Sequence, residues 1–313
     1  MKRLIICLIL FFCVSTGSAY SYWIWTPKTG KWVNPKNVTR SSPKEQFEFA
    51  KGLYDIKNYD EAKREFKKLL VAYPKSVEAS EAQYYLGLIE EALGKLYEAY
   101  QAYQKVIEIY PFSERVTEIN EKEFKIAEAF MSGEKRKSLG IALPVENPAI
   151  EIFTKVIENS AYGALAAKAQ YKLGLVLKGL IRYYEAEEAF QKVASSYPES
   201  EWASAAKYQI AACRAAVSKG PDYDQGATNE AMRKFEDFLK EHPDAVLSND
   251  AQKNIEQLKE KEAESNYTIG RFYEKQKAYD SAKIYYGSVV DTYPKSPWAL
   301  KAFERLRILE KRK

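Results

Sequence analysis

The stretch YYEAEEAFQKVASSYP, residues 183–198, contains the pattern that decides the fold. It has an alanine, an aromatic residue four positions later, and a proline twelve positions after the alanine. Four other stretches repeat this pattern, at residues 59–74, 96–111, 228–243 and 279–294. A weaker copy has Ala149 and Phe153, with Ala161 in place of the proline. Recurrence of one pattern at long intervals is the signature of a repeat protein.

Each copy is predicted to be the second helix of a helical hairpin. The alanine is small, so the facing helix can approach closely, and the aromatic residue lies one turn later on the same face. The proline ends the helix because it lacks the backbone N–H of the next helical hydrogen bond. The residues predicted to pack the repeats in these positions are Ala62, Phe66, Pro74, Ala99, Tyr103, Pro111, Ala186, Phe190, Pro198, Ala231, Phe235, Pro243, Ala282, Tyr286 and Pro294.

The first helix of each hairpin is predicted to have a small residue twelve positions before the alanine. Gly87, Gly174 and Gly270 occupy this position in three copies, and Ala50 occupies it in the first. A glycine inside a helix costs about 1 kcal/mol relative to alanine. We infer that close approach of the two helices offsets this cost.

The pattern resembles the tetratricopeptide repeat, which has small and large residues in these places. The resemblance implies an all-α fold, a tetratricopeptide-type superhelix of helical hairpins (an α-solenoid), with about six hairpins in residues 41–313. Successive alanines are more than 34 residues apart, so we expect insertions, near 131–148, 219–229 and 248–265. Each repeat buries its apolar face mainly on its neighbours, so we expect one continuous array. A subdivision near 131–148 is the alternative.

Residues 1–19 have the features of a secretory signal peptide. Lys2 and Arg3 precede an apolar run from Leu4 to Val14, and small residues lead to a predicted cleavage after Ala19. An uncleaved anchor is the alternative, although the run is shorter than the roughly 20 residues that span a bilayer.

The cysteines do not predict a lipid anchor or a disulfide. Cys7 and Cys13 lie in the signal region and follow bulky apolar residues, whereas a lipidated cysteine follows small ones. Cys213 then has no disulfide partner, and we expect it to be a small core residue.

Residues 20–40 form an unusual aromatic segment between the signal and the repeats. Trp23, Trp25 and Trp32 belong to two short stretches on either side of Pro27–Gly30, which is predicted to be a turn between strands. An isolated hairpin is marginally stable in water, so it should lean on something. Two interpretations remain open, a cap on the first helices or an aromatic anchor for a partner or another envelope component.

Composition excludes several classes of function. The net charge of +5 falls to about +3 without residues 1–19, and no segment forms a basic stripe, so we predict no nucleic-acid binding. His242 is the only histidine, and it stands where tyrosine precedes proline in sister repeats. No Gly-rich phosphate loop occurs. We predict no catalytic residues, no metal site and no cofactor.

The C-terminal sequence resembles the BamD family of envelope proteins. Residues 258–306 have a long approach helix, the aromatic run Arg271–Tyr273, and a Tyr-Pro-x-Ser motif before an Ala-rich final helix. The resemblance implies a non-catalytic periplasmic scaffold in the assembly of outer-membrane β-barrel proteins. It implies protein partners and a position at the inner face of the outer membrane, with indirect membrane association. The residues that alignment to first-helix positions suggests for partner binding are Gln83, Gln170, Tyr171, Asn266 and Tyr273, in addition to Trp23, Trp25 and Trp32.

Two departures from this family keep a second function open. Its members usually carry a lipidated cysteine and five repeats, whereas this chain lacks a convincing lipidated cysteine and supports about six repeats. The alternative is a periplasmic adaptor of the Tol–Pal type, which serves envelope constriction. Purification with a barrel-domain partner that carries periplasmic repeats would favour the first function, and purification with peptidoglycan-linked proteins alone would favour the second.

Overall fold

A computed structural model describes residues 23–26, 30–33, 38–135, 137–138, 141–142, 146–160, 163–218 and 225–311. Within these ranges the chain has 13 α-helices and two small antiparallel sheets of two strands each. The fold is all-α with a short aromatic β-hairpin before the helices, which confirms the predicted fold class. The predicted signal region, with Cys7 and Cys13, lies outside the described residues.

The structural elements follow one another in the order of the predicted repeats. The strands are β1 (Ile24–Thr26), β2 (Lys31–Val33), β3 (Lys137–Ser138) and β4 (Ile141–Ala142). The helices are α1 (Pro43–Asp55), α2 (Tyr59–Ala72), α3 (Val77–Ala92), α4 (Leu96–Ile109), α5 (Val116–Met131), α6 (Pro148–Asn159), α7 (Ala164–Gly179), α8 (Tyr183–Ser196), α9 (Trp202–Val217), α10 (Gln225–Glu241), α11 (Ser248–Lys275), α12 (Tyr279–Thr292) and α13 (Pro297–Glu310).

The helices belong to two compact units, Met1–Val116 and Thr117–Lys313. In the first unit, α1 pairs with α2 and α3 pairs with α4. In the second, the hairpins are α5/α6, α7/α8, α9/α10 and α11/α12, and α13 packs on α12. The boundary lies upstream of the 131–148 insertion, and that insertion contains the β3–β4 hairpin, which the sequence did not predict.

The repeated alanines and aromatic rings form the centre of every hairpin. All six alanines, the weaker copy included, and all six rings that follow them by four residues are fully buried. Each ring contacts an aromatic ring of the first helix at a centroid distance of 5.4–5.8 Å. These ring pairs are Phe47–Phe66, Tyr84–Tyr103, Phe124–Phe153, Tyr171–Phe190, Tyr208–Phe235 and Tyr267–Tyr286.

The first-helix glycines lie directly against these rings. A Cβ atom placed on Gly174 would lie 2.6 Å from the ring of Phe190, and one on Gly270 would lie 2.8 Å from the ring of Tyr286. Gly87 has the same close approach to Tyr103. Packed carbon atoms stay about 3.5–4.0 Å apart. The absence of a side chain at these positions therefore lets the two helices meet.

The turn inside most hairpins has a left-handed residue just after the first helix. Lys57, Gly94, Ile181 and Lys277 have φ between 61° and 71°. The N–H of the residue that follows each of them donates to a carbonyl five positions back, as in the Schellman motif. This motif satisfies the last carbonyl groups of the first helix and reverses the chain sharply.

We expect Gly174→Ala to destabilise the second unit by about 1–2 kcal/mol. Overpacking against Phe190 costs about 1–3 kcal/mol, which exceeds the gain of up to about 1 kcal/mol in helix propensity. Urea unfolding followed by circular dichroism measures the change. The matched control is Gly179→Ala in the same helix, where an added Cβ has nothing within 4 Å and no loss is expected. Equal effects of the two substitutions would contradict the role of Gly174 in packing.

Candidate functional site

A buried glutamine joins the two helices of a hairpin in three copies of the repeat. The Nε2 of Gln83 donates to the carbonyl oxygen of Ala102 at 2.9 Å, and that of Gln170 donates to Ala189 O at 3.1 Å. Gln46 makes the same bond to Glu65 O at 3.0 Å. In each case the acceptor lies 19 residues after the glutamine. The glutamine side chains therefore hold the hairpin together from inside.

Two other candidates for partner binding are also buried within the repeats. Tyr171 contacts Phe190 and stacks near Trp202, with the latter ring centroids 5.0 Å apart. Asn266 Oδ1 accepts a hydrogen bond of 3.2 Å from Gln225 Nε2, which lies at the start of α10. Because their side chains face other helices, a role for these residues in partner contacts stays a prediction that this geometry does not support.

We expect Gln170→Ala to lower the free energy of unfolding of the second unit by about 1–2 kcal/mol. The variant loses one net hydrogen bond and leaves a gap between α7 and α8. Chemical denaturation of the purified variant measures this change. Gln252→Ala, at an exposed position of α11, is the control and should stay within about 0.5 kcal/mol of the parent. A stable Gln170 variant that loses a bound protein partner would instead support the partner-binding interpretation.

The first helices of the two hairpins in the first unit, α1 and α3, carry a cluster of aromatic rings. Tyr85 lies at its centre, with ring centroids 5.5 Å from Phe47, 5.1 Å from Tyr54 and 5.2 Å from Phe66. Burial raises the pKa values of Tyr54 and Tyr85 above the usual tyrosine range. Both hydroxyl groups therefore keep their protons to a higher pH than an exposed tyrosine does.

A basic residue borders this aromatic cluster. The guanidinium of Arg115 lies 4.9 Å from the ring centroid of Tyr84. Its Nε and one terminal nitrogen each donate to Glu81 at 3.0 Å. The fork-like ion pair fixes the guanidinium over the ring, so this edge of the surface is polar and ordered.

The first-helix surface of the second unit is more charged. Lys168 Nζ lies 4.7 Å from the ring centroid of Phe124, and Lys172 Nζ lies 3.2 Å from Glu128 Oε1. Tyr273, the last of the predicted first-helix residues, is half-buried and stacks on Tyr285 at 5.5 Å with an interplanar angle of 14°. Its ring is thus part of a hairpin and only partly open to a partner.

An exposed apolar surface on the last helix of the second unit was not predicted from the sequence. The last helix, α13, buries Ala299, Ala302 and Leu309 against the preceding hairpin. Its other side exposes Leu300, Phe303 and Ile308, whose exposed fractions are 67%, 54% and 41%. A signal was available, because the apolar residues of α13 cover both sides of the helix. We name Leu300, Phe303 and Ile308 the terminal stripe.

The sequence predicts neither a metal site nor a catalytic histidine in the part of the chain that the structure describes. No three His, Cys, Asp or Glu side chains there are placed to hold a metal ion. The ring of His242 packs against Phe238 with centroids 5.6 Å apart. Its place at the end of α10 agrees with a packing role.

Cys213 is buried in the core between α7, α8 and α9. Burial raises the pKa of its thiol to about 11. The pKa of an unfolded cysteine thiol is about 8.5. Between about pH 8.5 and pH 11 the folded protein therefore keeps this thiol protonated, and the thiolate needed for reaction does not form. The stability that this group contributes is complete below about pH 8.5 and is lost as the pH rises towards 11.

We expect Cys213 to resist thiol reagents in the folded protein. In a chain of residues 20–313, Ellman's reagent at pH 8 should react at once with one thiol in denaturant and only slowly without it. A Ser196→Cys variant adds a thiol at an exposed position of α8 and should show one fast reaction in the folded state. Fast labelling of the parent chain would show that the core around Cys213 is open.

Three family models match parts of this sequence. Residues 214–312 match the YfiO family, described as outer membrane lipoprotein, and this segment includes α10 to α13 and the terminal stripe. Residues 47–114 and 168–200 match two models of the tetratricopeptide repeat. The chain therefore contains tetratricopeptide repeats and a C-terminal segment similar to a BamD-type lipoprotein family.

Solved structures with similar folds are distant in sequence. The C-terminal part of a repeat-containing protein from Cytophaga hutchinsonii is 19% identical, with 84% of this chain and 88% of that chain covered and a TM-score of 0.39. A thermophilic tetratricopeptide-repeat protein from Thermus thermophilus is 16% identical, with 69% and 98% covered and a TM-score of 0.31. No curated protein sequence matches this chain.

Among the described residues, no helix has both the length and the apolar character needed to span a membrane.

Proposed function

We propose that this protein is a non-catalytic scaffold of the cell envelope that holds protein partners during the assembly of outer-membrane β-barrel proteins. The observation that carries the proposal is the terminal stripe on α13, which lies inside the segment similar to the outer membrane lipoprotein family. The repeats of the rest of the chain support a binding role, because stacked hairpins present long surfaces to other proteins.

The terminal stripe has the composition of the centre of a protein interface. Leu300, Phe303 and Ile308 are apolar, and each fully buried side chain of this kind contributes about 1.5–3 kcal/mol. Glu304 and Arg307 lie on the same side of the helix and are exposed. These two charges lie between Phe303 and Ile308, so they would set the orientation of the partner, while the three apolar side chains supply affinity.

The proposed location is the periplasm, at the inner face of the outer membrane. The predicted signal peptide and the similarity to a lipoprotein family of that membrane support this location. The partner that we propose is a barrel-domain protein with periplasmic repeats, whose apolar surface would cover the terminal stripe.

We expect the double substitution Leu300→Glu and Phe303→Glu to abolish co-purification with that partner. The two carboxylates would place charge where the partner covers apolar side chains, and this desolvation would cost more than the contact contributes, even though Arg307 lies one turn after position 303. The measurement is affinity purification of tagged chains from native envelopes after cross-linking, with mass spectrometry of the bound proteins. The melting temperature should change little, because both side chains are exposed.

The matched control adds two carboxylates at exposed apolar positions elsewhere, Phe112→Glu and Val246→Glu. This control should keep the partner. If the parent chain purifies only with peptidoglycan-linked proteins, the assembly function is wrong and the Tol–Pal type of adaptor is favoured. If the stripe variant retains a barrel-domain partner in full, the stripe is not the binding surface.

A further inference from the structure

The hairpin of β1 and β2 presents an unusual aromatic surface to solvent. Trp23, Trp25 and Trp32 are 57%, 48% and 62% exposed. Trp25 and Trp32 are opposite each other in the register of the two strands, and their rings meet edge to face with centroids 5.8 Å apart. Side chains alternate between the two faces of a strand, so Trp23 belongs to the face of Trp25. A cap on the first helices would cover these rings, and they are open instead.

The charge around this hairpin has a single sign. Residues 20–44 contain five basic side chains and no acidic one, and the first carboxylate after the signal region is Glu45. The basic residues are Lys28, Lys31, Lys36, Arg40 and Lys44. Three exposed tryptophans within such a segment match a surface that is both apolar and anionic.

A basic groove lies beside the point where this segment joins the helices. It is an open cavity of about 1180 Å³ between residues 38–40, Phe49 and the outer side of α2. Four basic side chains (Arg40, Arg64, Lys67 and Lys68) and two acidic ones (Glu61 and Glu65) line it. Arg64 forms an ion pair with Glu61 and Lys68 with Glu65, so Arg40 and Lys67 carry the net positive charge of the groove. The guanidinium of Arg40 lies 4.2 Å from the ring centroid of Phe49.

The hairpin and the groove can contact the same ligand surface at once because the chain between them is short. Five residue steps separate Val33 from Val38, which lines the groove. A fully extended chain covers about 17 Å in five steps. The tryptophans therefore stay close to the basic groove in every arrangement of the connecting residues.

We propose that the β1–β2 hairpin is a peripheral membrane anchor that places its tryptophan rings in the interfacial region of an anionic bilayer. Indole rings favour this region because their flat apolar body and their N–H group meet lipid and water together. The basic side chains of the groove, Arg40 and Lys67 above all, lie against the lipid phosphates. The anchor does not cross the membrane, because a strand of three residues is about 10 Å long and the hydrocarbon core is about 30 Å thick.

This anchor is independent of the proposed protein-binding function. It uses the first unit, and the terminal stripe belongs to the second. An anchor of this kind would attach a chain without a lipidated cysteine to the envelope membrane. Its attraction to lipid should be weaker at high salt, because the Debye length falls from about 10 Å at 0.1 M to about 3 Å at 1 M.

The test is binding of residues 20–313 to vesicles of phosphatidylethanolamine with 30% phosphatidylglycerol (about one anionic lipid in three), measured by flotation and by tryptophan fluorescence. We expect binding with a blue shift of emission, and at least about tenfold weaker binding to phosphatidylcholine alone. The triple variant Trp23→Ala, Trp25→Ala, Trp32→Ala should lose binding by about tenfold or more, with an unchanged melting temperature.

The matched control removes three exposed aromatic rings from the helices and their loops, Phe112→Ala, Tyr184→Ala and Phe272→Ala. It should bind vesicles like the parent. The proposal is overturned if the parent does not bind anionic vesicles, or if the tryptophan variant binds as well as the parent. A lower melting temperature with unchanged vesicle binding would show a cap, and loss of a co-purified protein with unchanged vesicle binding would show a protein-docking site.

Discussion

The contact between a second-helix ring and a first-helix residue without a side chain constrains the hairpins more than any other interaction. Gly174 against Phe190 and Gly270 against Tyr286 leave no room for a methyl group. Once such a ring is seated, the axial position of one helix against the other is fixed. The hydrogen bond from Gln170 to Ala189 follows from it, because Gln170 lies one turn before the glycine and Ala189 is next to the ring residue.

Two ion pairs between successive hairpins have their charges exchanged: in one the second-helix residue is basic, and in the other the second-helix residue at the same repeat position is acidic. Lys63 and Glu187 each directly follow the repeated alanine of their helix, and each forms an ion pair with the first helix of the next hairpin. Lys63 pairs with Glu90, whereas Glu187 Oε2 lies 2.7 Å from Arg214 Nε. A hairpin in the wrong place would bring like charges together. Because Glu90 and Glu187 are nearly buried, such a mismatch would be costly, and the order of the hairpins is thereby specified.

The sequence predicted the elements of this fold better than the roles of its polar residues. The alanine–aromatic–proline pattern predicted the second helices, and the two short stretches on either side of the Pro27–Gly30 turn predicted the strands. Gln83 and Gln170 were assigned to a binding surface because a glutamine on a helix has the same sequence pattern on an inner or an outer face. Their acceptors lie 19 residues away, which is visible only when the hairpin is closed. The boundary between the two units at residue 116 also has no signal in composition, because it depends on contacts between helices.

The last helix, α13, differs from the capping helix of a typical repeat stack in the polarity of its outer side. A terminal helix has no following hairpin to cover its outer side, so that side is normally polar. In α13 the inner side is apolar, as packing on α12 demands, but the outer side exposes Leu300, Phe303 and Ile308 among its charged residues. An exposed leucine and phenylalanine one turn apart gain nothing for the folded chain and favour aggregation. Sequence comparison between repeats could not detect this feature, because α13 has no second helix and so no repeated alanine. The partner proposed for the terminal stripe would cover these three side chains, which the hairpin stack itself leaves exposed.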